Sequence, residues 1–400
     1  MTKRILIITD AFPPNFAPRM GILSTNLEKL GYDVTIISED NGETHYNLSN
    51  LPEKVHFYNY QANLSKTGYY IKSALNLIFD HKTYSFYNKF SSIIENGKFD
   101  LVLCSTFNEF PLNLAHKVSK RLNIPLICDI RDLAEQFGEK KYNSLQNNFI
   151  SRFFTDLLRE RRIKRRNYVL KNANAITTIS PWHKEFLSSL NYNVHLIYNG
   201  YSSDKFYAKE IKSNTFDIIY TGRILDSNTR NPELLFKAIE ELNLNGLRLI
   251  WYVDNNSKAI INDLLKDFPI TRGISQINGL VAVSEIPMLL NKSSIILVLT
   301  NKSCENGPKG IMTTKFFEAV GVEKPVLCVP NDEGCLGQVI TEVNAGLAAN
   351  SIQEVKDFIT EKYNEWQKNG FTRQNVRNKE YFCRENQTQE FIQVFNSVLQ

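Results

Sequence analysis

Residues 310–330 read GIMTTKFFEAVGVEKPVLCVP. From Thr313 to Gly321 the apolar residues recur at helical spacing, and Pro325–Val329 is a short apolar run that is typical of a buried strand. Another apolar run, Ile295–Thr300, precedes this stretch. A strand, a helix and a second strand in this order indicate a βαβ unit, in which the two strands lie parallel in one sheet.

The same alternation of apolar runs and helical patterns extends along the whole chain. Because the runs are continuous rather than alternating with polar residues, we expect parallel strands covered by helices on both faces. A turn-rich stretch, Asn199–Asp204, interrupts the pattern near the middle. The sequence therefore predicts an α/β protein of two doubly wound, Rossmann-like domains, residues 1–199 and 200–375, followed by a helical tail. The predicted strands are Arg4–Thr9, Asp33–Ser38, Val55–Tyr60, Leu101–Ser105, Pro125–Ile130, Ala175–Ser180, Val194–Tyr198, Phe216–Thr221, Leu247–Val253, Ile274–Asn278, Ile295–Thr300, Pro325–Val329 and Gly346–Ala349. In the first half, helices are predicted near residues 21–30, 69–96, 109–122, 145–172 and 181–190, the first of them opening at Gly21.

Composition narrows the class of protein. The 400 residues are 42% hydrophobic and 22% charged, which excludes a disordered chain. The net charge of +5 is too small for a dedicated nucleic-acid-binding protein. No apolar run reaches the ~18 residues that a membrane span needs, so we expect a cytoplasmic protein.

The basic surplus is local. In residues 1–200, 25 Lys and Arg outnumber 18 Asp and Glu, and residues 151–171 alone hold eight basic and two acidic residues. Apolar side chains, among them Phe153, Phe154, Leu157, Leu158, Ile163 and Val169, are interspersed. A basic amphipathic helix is typical of contact with anionic membrane. A solvated helix packed on the sheet is the alternative interpretation.

The start of the helix near Thr313 is a candidate anion site. Thr314 and Lys315 fall in the first turn, where free N–H groups and the helix dipole favour a phosphate. Glu318 lies three residues after Lys315 and faces the same side, so its carboxylate could accept the hydroxyls of a ribose. A Lys–Glu pair on an ordinary surface helix is the alternative.

Two further loops after strands carry candidate phosphate ligands. Gly222 permits close approach of a ligand to the backbone. Arg223 follows it directly and Arg230 lies in the next polar loop, and arginine suits bidentate phosphate recognition. An ordinary surface loop is the alternative interpretation. After the first strand, Arg19 and Gly21 could contact a phosphate or a sugar, although one glycine does not make a dinucleotide fingerprint.

A cluster of charges follows the strand that begins at Pro125. Asp129, Arg131 and Asp132 stand at its carboxyl end, where ligands bind in open α/β sheets. Two carboxylates around one arginine could perform acid–base chemistry. An internal Asp–Arg pair that shapes the loop is the alternative, because buried charges need partners.

Several segments together resemble glycosyltransferase family 4, a family of GT-B glycosyltransferases. TTKFFEAVGVEKPVLCVP is similar to its P-S-K-x-x-E-x-x-A-x-G-x-P-V-I signature, LIYNGYSSDKF to I-P-N-G-V-D-x-x-x-F, and IIYTGRI to F-V-G-R-L. ANAITTISPWHKEFL and the opening ILIITDAFPPN resemble further family segments, and PLICDIRDLAE is similar to the D-x-R-D-L-W-P of a bacterial surface-polysaccharide branch. The matches occur in the family's order over roughly residues 4–350.

The resemblance implies a GT-B fold whose C-terminal helix, about 376–400, returns to the N-terminal domain. It implies a nucleotide-sugar donor, with Glu318 on the ribose and Lys315, Arg223, Thr314 and Gly222 at the diphosphate. Arg230 is the candidate second cation, residues 279–281 the candidate base-stacking loop, and Arg131 and Asp132 the candidate catalytic residues of the N-terminal domain. Neither a metal nor another cofactor is implied.

The sequence also departs from the family. Gly310 stands where many members have a first glutamate, Arg131 where many have a histidine, and Ala134-Glu135 where the polysaccharide branch has Trp-Pro. We expect a retaining transferase that moves a sugar, favourably from a UDP-sugar, to a saccharide or polyprenyl-linked acceptor in surface polysaccharide synthesis. A sugar-nucleotide 2-epimerase of the same fold and a nucleotide-sugar-binding protein without transfer activity are the alternatives.

Overall fold

The computed structural model describes residues 2–15, 17–40, 42, 51–62, 65–106, 109–136, 149–224, 230–300 and 308–399. The chain divides into two compact units. The N-terminal unit comprises residues 1–198 and 387–400, and the C-terminal unit comprises residues 199–386.

The N-terminal unit contains a parallel sheet in the order β3-β2-β1-β4-β5-β6-β7 within the described residues. The central strands are buried along their whole length, as the continuous apolar runs predicted. All seven predicted strands of this half are present, with ends that differ by at most two residues from the prediction. Their bounds are β1 Arg4–Thr9, β2 Asp33–Glu39, β3 Val55–Tyr58, β4 Leu101–Thr106, β5 Leu126–Ile130, β6 Ala175–Thr178 and β7 Val194–Leu196.

The largest difference between the predicted and observed helices of this unit lies within residues 66–96. A single helix was expected over residues 69–96, but Asp80 adopts a left-handed backbone with φ 55° and divides the segment. Asp80 ends one helix and precedes the next, and its side chain accepts from Thr83 and Asn113. The bounds are α1 Pro18–Lys29, α2 Lys66–Phe79, α3 His81–Lys89, α4 Ser91–Asn96, α5 Glu109–Leu122, α6 Phe149–Lys171 and α7 Pro181–Ser188.

The C-terminal unit contains a second parallel sheet, in the order β10-β9-β8-β11-β12-β13 among the described strands. Its core includes the fully buried Trp251, Phe216 and Phe236. The strands are β8 Phe216–Thr221, β9 Leu247–Tyr252, β10 Ser275–Asn278, β11 Ile295–Leu299, β12 Val326–Val329 and β13 Gly346–Ala348. The helices are α8 Glu233–Glu240, α9 Asn255–Leu264, α10 Pro269–Ile274, α11 Ile286–Lys292, α12 Thr314–Gly321, α13 Cys335–Glu342 and α14 Ile352–Asn369.

The tail returns to the N-terminal unit, as the resemblance implied. The final helix, α15, spans Arg384–Val398, so it begins later than the expected residue 376, after a short 3-10 helix at Lys379–Phe382. Phe391, Val394 and Phe395 are buried in the core that also contains Ile5 and Ile7 of β1. Apolar burial therefore joins the two ends of the chain in one unit. Among the described residues, no helix has the length and hydropathy that a membrane span requires.

Candidate functional site

Residues 310–330 contain helix α12 and strand β12. Phe316, Phe317, Ala319 and Val320 are buried and fix the inner face of α12, so the polar residues between them are directed elsewhere. Thr314 is exposed at the first position of α12. Among the described residues, the Thr313 side chain makes no capping hydrogen bond to α12, so it does not compete with a ligand there.

Lys315 reaches the loop that follows β8. Its ammonium lies 5.4 Å from the ring centroid of Tyr220. Gly222 has φ +123°, and a Cβ atom built on it would lie 2.7 Å from both Cε and Nζ of Lys315. Only a glycine leaves this space, which explains why the Thr-Gly-Arg sequence follows the strand.

Lys315 and Glu318 form the electrostatic centre of the site. Burial lowers the pKa of Lys315, and the positive charge of Arg230 lowers it further, while Glu318 acts in the opposite direction. Burial raises the pKa of Glu318, against the opposing influence of Lys315 and Arg384. Neither side chain has a hydrogen-bond partner among the described residues. Such groups are costly to bury and favour a ligand that would satisfy them.

Arg223 and Arg230 occupy different positions relative to Lys315. Arg223 is largely exposed, and its Nε lies 3.4 Å from a carboxylate oxygen of Asp254. Arg230 donates from Nη1 to the backbone carbonyl of Arg223, and the Tyr220 hydroxyl donates to the same oxygen at 2.9 Å. Arg230 is therefore close enough to act on the pKa of Lys315, whereas Arg223 is engaged with Asp254.

Asp254 also organises the loop after β9. Its carboxylate accepts from the backbone N–H of Ser257 at 2.9 Å and caps α9. The Ser257 hydroxyl in turn accepts from the backbone N–H of Ile224 at 2.8 Å. These bonds, with the hydrogen bonds from Ser257 as the main cause, lower the pKa of Asp254, and they hold the backbone next to Arg223.

The remaining donor-side predictions are less well defined by contacts. Gly279–Val281 follow β10 and Leu280 is exposed, and base stacking by this loop stays a prediction. Gly310 is buried and has φ +68°, a left-handed conformation in which a glutamate would be strained. The missing first glutamate is thus accompanied by a local backbone that favours glycine.

In the N-terminal unit, Arg19 has a role that the sequence interpretation did not assign. Asp129 is fully buried and accepts from Arg19 at 3.1 and 3.3 Å, from Ser105 at 2.9 Å and from Thr177 at 2.7 Å. Burial alone would raise the pKa of Asp129, but Arg19 and Arg131 with these hydrogen bonds hold it below its ordinary value. Arg19 is therefore a buried counter-ion of Asp129.

Gly21 also lies at a different place in its helix than predicted. The helix was expected to open at Gly21, but α1 begins at Pro18, so that Gly21 is a buried residue in its first turn. Its carbonyl accepts from the hydroxyls of Ser24 and Thr25, both at 2.9 Å. These contacts are internal to α1, and contact of Gly21 with a donor stays a prediction.

Arg131 is buried and forms an ion pair with Asp10, with 3.5 Å between Nη2 and Oδ1. Thr106 donates to the other oxygen of Asp10 at 3.1 Å. Burial lowers the pKa of Arg131, while Asp10 and Asp129 raise it. The internal Asp–Arg pair that the sequence left open is therefore present, although the partner is Asp10 of the loop after β1.

Asp132 belongs to a short chain of hydrogen bonds that the sequence did not indicate. Gln136 donates from its amide nitrogen to Asp132 at 3.2 Å. The amide oxygen of Gln136 accepts from the backbone N–H of Leu133 at 3.0 Å and lies 2.7 Å from Nε2 of the buried His183. Since that oxygen can only accept, Nε2 of His183 carries the proton. Burial is the largest cause that raises the pKa of Asp132, and burial lowers the pKa of His183 to about 4.

The basic segment is partly structural. Arg166 is buried and makes a bidentate ion pair with Glu135, at 2.6 and 2.8 Å, so the glutamate that replaces a family Trp-Pro position has a partner on α6. Arg161, Arg162 and Lys164 are exposed. The side chains of residues 151–158 lie outside the described part. Among the described residues, no group of three or more potential metal ligands is present.

Known proteins resemble this chain in sequence and fold. Residues 21–205 match the family model described as Glycosyltransferase Family 4. No curated protein sequence matches the chain significantly. Sucrose-phosphate synthase from Thermosynechococcus elongatus is 13% identical with a TM-score of 0.62, and the alignment covers 99% of this chain and 98% of that one.

Two further structures bear on the competing interpretations. HepE from Anabaena in complex with UDP is 12% identical with a TM-score of 0.64, over 98% of this chain and 100% of that one. A provisionally named UDP-N-acetylglucosamine 2-epimerase from Listeria monocytogenes is 10% identical with a TM-score of 0.57, over 99% of this chain and 96% of that one. At these identities the structures establish the fold alone. The chain thus has the GT-B fold, and the resemblance to glycosyltransferase family 4 that its motifs predicted is confirmed, with the family match carried by residues 21–205.

Proposed function

We propose that this protein transfers a sugar from a nucleotide-diphosphate sugar to a saccharide or polyprenyl-linked acceptor. The observation that carries the proposal is the Lys315–Glu318 pair in the first turns of α12. Both groups are half-buried, burial shifts the pKa of each toward the neutral form, both lack hydrogen-bond partners among the described residues, and Gly222 keeps the space beside the ammonium open. A diphosphate and a ribose would supply the missing anion and the missing hydroxyl donors.

The proposed division of roles follows from this geometry. Lys315 and Arg230 bind the diphosphate, assisted by Thr314 and the N–H groups that open α12. Glu318 accepts from the ribose hydroxyls. Arg223, which is exposed and held only by one long ion pair with Asp254, joins the diphosphate by exchanging that carboxylate for a phosphate oxygen.

The chemistry needs positive charge where the diphosphate leaves. Fixed cations and helix N–H groups stabilise a departing diphosphate in a site that water does not screen, so the proposal includes neither metal nor other cofactor. We propose retention of configuration, by analogy with the family resemblance. A UDP-sugar is favoured because HepE, which shares the fold, has been solved with UDP and with UDP-glucose, and the sugar is proposed to be a hexose or an N-acetylhexosamine.

The acceptor is proposed to meet the N-terminal unit. Arg131 and Asp132 follow β5, and burial raises the pKa of Asp132, so this carboxyl group takes up a proton more readily than an exposed aspartate. We propose surface polysaccharide synthesis as the process, and a cytoplasmic protein whose basic segment, residues 151–171, contacts the anionic inner face of the cell membrane. The exposed Arg161, Arg162 and Lys164 support that contact.

The test uses two variants of the site and a matched control. Glu318→Ala and Lys315→Ala should abolish release of the nucleoside diphosphate during transfer and reduce the thermal stabilisation by UDP. Glu361→Ala removes an exposed glutamate of α14 in the same unit and should change neither. Thermal shifts with UDP, GDP and ADP identify the base first. Full transfer activity of either site variant would refute the assignment.

The epimerase is the second candidate, because the Listeria structure named above shares the fold over nearly the whole chain. An epimerase acts on the donor alone, so incubation with a UDP-sugar and no acceptor should leave the sugar unchanged if the protein is a transferase. A binding protein without activity would show the UDP thermal shift and never release free UDP.

A further inference from the structure

The most unusual surface of the N-terminal unit is an apolar stripe on α2. Ile71, Leu75, Ile78 and Phe79 are 58%, 38%, 50% and 64% exposed. Their spacing of four, three and one residues places them on one face of the helix. Contiguous exposed apolar side chains are uncommon on soluble monomers and mark interaction sites.

The neighbouring face of α2 is anchored, which fixes the outward direction of the stripe. Lys72 donates to the carbonyl of the buried Tyr60, and its ammonium lies 4.3 Å from that ring. Asn76 accepts from the backbone N–H of Lys82 at 3.0 Å. These contacts hold α2 against the N-terminal unit, so the stripe faces outward because the neighbouring face is bound.

Cations surround the C-terminal end of the stripe. Arg161 of α6 donates to the carbonyl of Ile78 at 2.8 Å, so the exposed part of α6 lies directly beside α2. Arg165 and Lys117 both act electrostatically on Asp80, the residue that ends α2. The residues of α2 include no acidic side chain.

One face of α6 continues this basic fringe. Arg161, Lys164, Arg165 and Tyr168 follow one another at helical spacing, and Tyr168 is 61% exposed. The opposite face, which includes Val169 and Leu170, is buried in the core. An apolar stripe next to a basic, tyrosine-containing face is the arrangement of segments that lie in a membrane interface.

We propose that the α2 stripe and the basic face of α6, together the docking surface, bind an anionic lipid bilayer, with the stripe entering the acyl boundary and the cations holding headgroup phosphates. The charge favours lipid over a second copy of the chain, because a symmetric pair would bring the same cations together. The inference deepens the proposed membrane contact by assigning insertion to α2, outside residues 151–171. The inference rests on the proposed function only in explaining why the protein would bind a membrane, namely to reach a polyprenyl-linked acceptor.

The experiment measures co-sedimentation of the full chain with two kinds of vesicle, phosphatidylcholine alone and phosphatidylcholine with one third phosphatidylglycerol. A triple variant, Ile71→Gln, Ile78→Gln and Phe79→Gln, removes apolar surface without changing charge or introducing a poor helix former. The control, Ile270→Gln with Met288→Gln, replaces exposed apolar residues on helices of the C-terminal unit.

Wild type and control should bind the anionic vesicles and bind phosphatidylcholine weakly. The triple variant should bind the anionic vesicles about tenfold or more weakly, since each of the three large apolar side chains contributes to partition. As a second measurement, brominated acyl chains should quench the tryptophan fluorescence of Phe79→Trp more strongly than that of Tyr207→Trp, because only residue 79 lies in the stripe. The native tryptophans are common to both variants, so the difference reports the introduced one.

Three results would overturn the proposal. The triple variant could bind like the control, wild type could bind both vesicles equally, or the stripe could prove to be a dimer contact, seen as a concentration-dependent mass that the triple variant loses. The UDP thermal shift is measured in parallel on every variant. The UDP thermal shift depends on the C-terminal site, whereas vesicle co-sedimentation depends on the docking surface. Loss of one without the other therefore shows which of the two proposals has failed.

Discussion

Gly222→Ala tests the donor site with the smallest possible change. The added Cβ would lie 2.7 Å from Cε and Nζ of Lys315, closer than any van der Waals contact allows. Because both atoms are at the free end of a flexible side chain, Lys315 can move aside at little cost to folding. The proposed diphosphate ligand is then displaced from its position beside Tyr220.

The magnitude has two parts. The backbone at φ +123° strains an alanine and should lower the free energy of unfolding by about 1–3 kcal/mol. Loss of a charged hydrogen bond to phosphate is worth about 1.5–3 kcal/mol, so UDP should bind roughly 10- to 100-fold more weakly. The two effects are separable because urea unfolding reports the first and calorimetric titration with UDP reports the second.

A matched control exists in the same unit. Gly246 has φ +77°, and its nearest side-chain atom would lie 3.8 Å from an added Cβ, so Gly246→Ala carries backbone strain without a clash. It should lose stability and keep UDP affinity. In the double variant with Lys315→Ala, Gly222→Ala should add almost no further loss of affinity, because both changes remove the same contact. Equal UDP affinity for Gly222→Ala and wild type would refute the reasoning.

Three further predictions concern Asp129 of the N-terminal unit and Asp254 and Lys315 of the C-terminal unit. Asp129→Ala leaves Arg19 buried without its counter-ion and should lower the free energy of unfolding by about 3–5 kcal/mol in urea titrations. Asp254→Ala removes the cap of α9 that receives the Ser257 N–H and should cost about 1 kcal/mol, whereas Asp254→Asn should retain most of it. UDP affinity, measured by titration at alkaline pH, should fall as pH rises through the lowered pKa of Lys315, because only the protonated ammonium binds phosphate.

Each of these predictions has a control and a contrary outcome. Asp263→Ala removes an exposed carboxylate and should leave the free energy of unfolding unchanged. If Asp129→Ala also left it unchanged, the buried network would not contribute to stability. If Asp254→Asn is as unstable as Asp254→Ala, capping is not the cause. In Lys315→Arg the alkaline loss of UDP affinity should disappear, since arginine stays charged, and persistence of the loss would assign it to another group.

The strands were predictable because burial on both faces gives them a simple sequence pattern. Continuous apolar runs such as Ile295–Thr300 located every strand of both sheets within two residues of its observed ends. The order of the strands was not predictable in the same way, because it depends on which distant runs pair. β1, for example, lies between β2 and β4, and no local pattern in residues 4–9 specifies those neighbours.

The error in the prediction of one helix over residues 69–96 arises at Asp80. The apolar pattern continues through Asp80, so periodicity alone predicts one helix. Asp80 leaves the helical conformation because its carboxylate accepts from Thr83 and Asn113, and aspartate tolerates a left-handed backbone better than most residues. Asn113 is distant in sequence, so the break is fixed by a tertiary contact that a window of residues does not contain.

The charged residues at the ends of strands were located correctly, but their partners were not. An internal Asp–Arg pair was one of the two interpretations for Asp129, and the arginine that donates to it is Arg19, 110 residues away. A lone histidine within a helix has no distinctive pattern, so the sequence does not single out His183. Gln136, which connects His183 to Asp132, could have been suspected only from the helix register, and the structure supplies the distances.

The buried, paired charges Asp129 and Arg131 of the N-terminal unit differ from Lys315 and Glu318 in α12 of the C-terminal unit, and this difference bears on function. In the N-terminal unit Asp129 and Arg131 each have an oppositely charged partner, Arg19 and Asp10, so burial is compensated within the fold. In the C-terminal unit burial shifts the pKa of both Lys315 and Glu318 toward the neutral form, with no hydrogen-bond partner among the described residues. A fold gains no stability from this desolvation, so the cost is expected to be offset when a ligand binds. A ligand that carries both an anion and hydroxyl groups would satisfy both side chains at once, and bound nucleoside diphosphate should therefore stabilise the C-terminal unit more than inorganic diphosphate or a nucleoside alone.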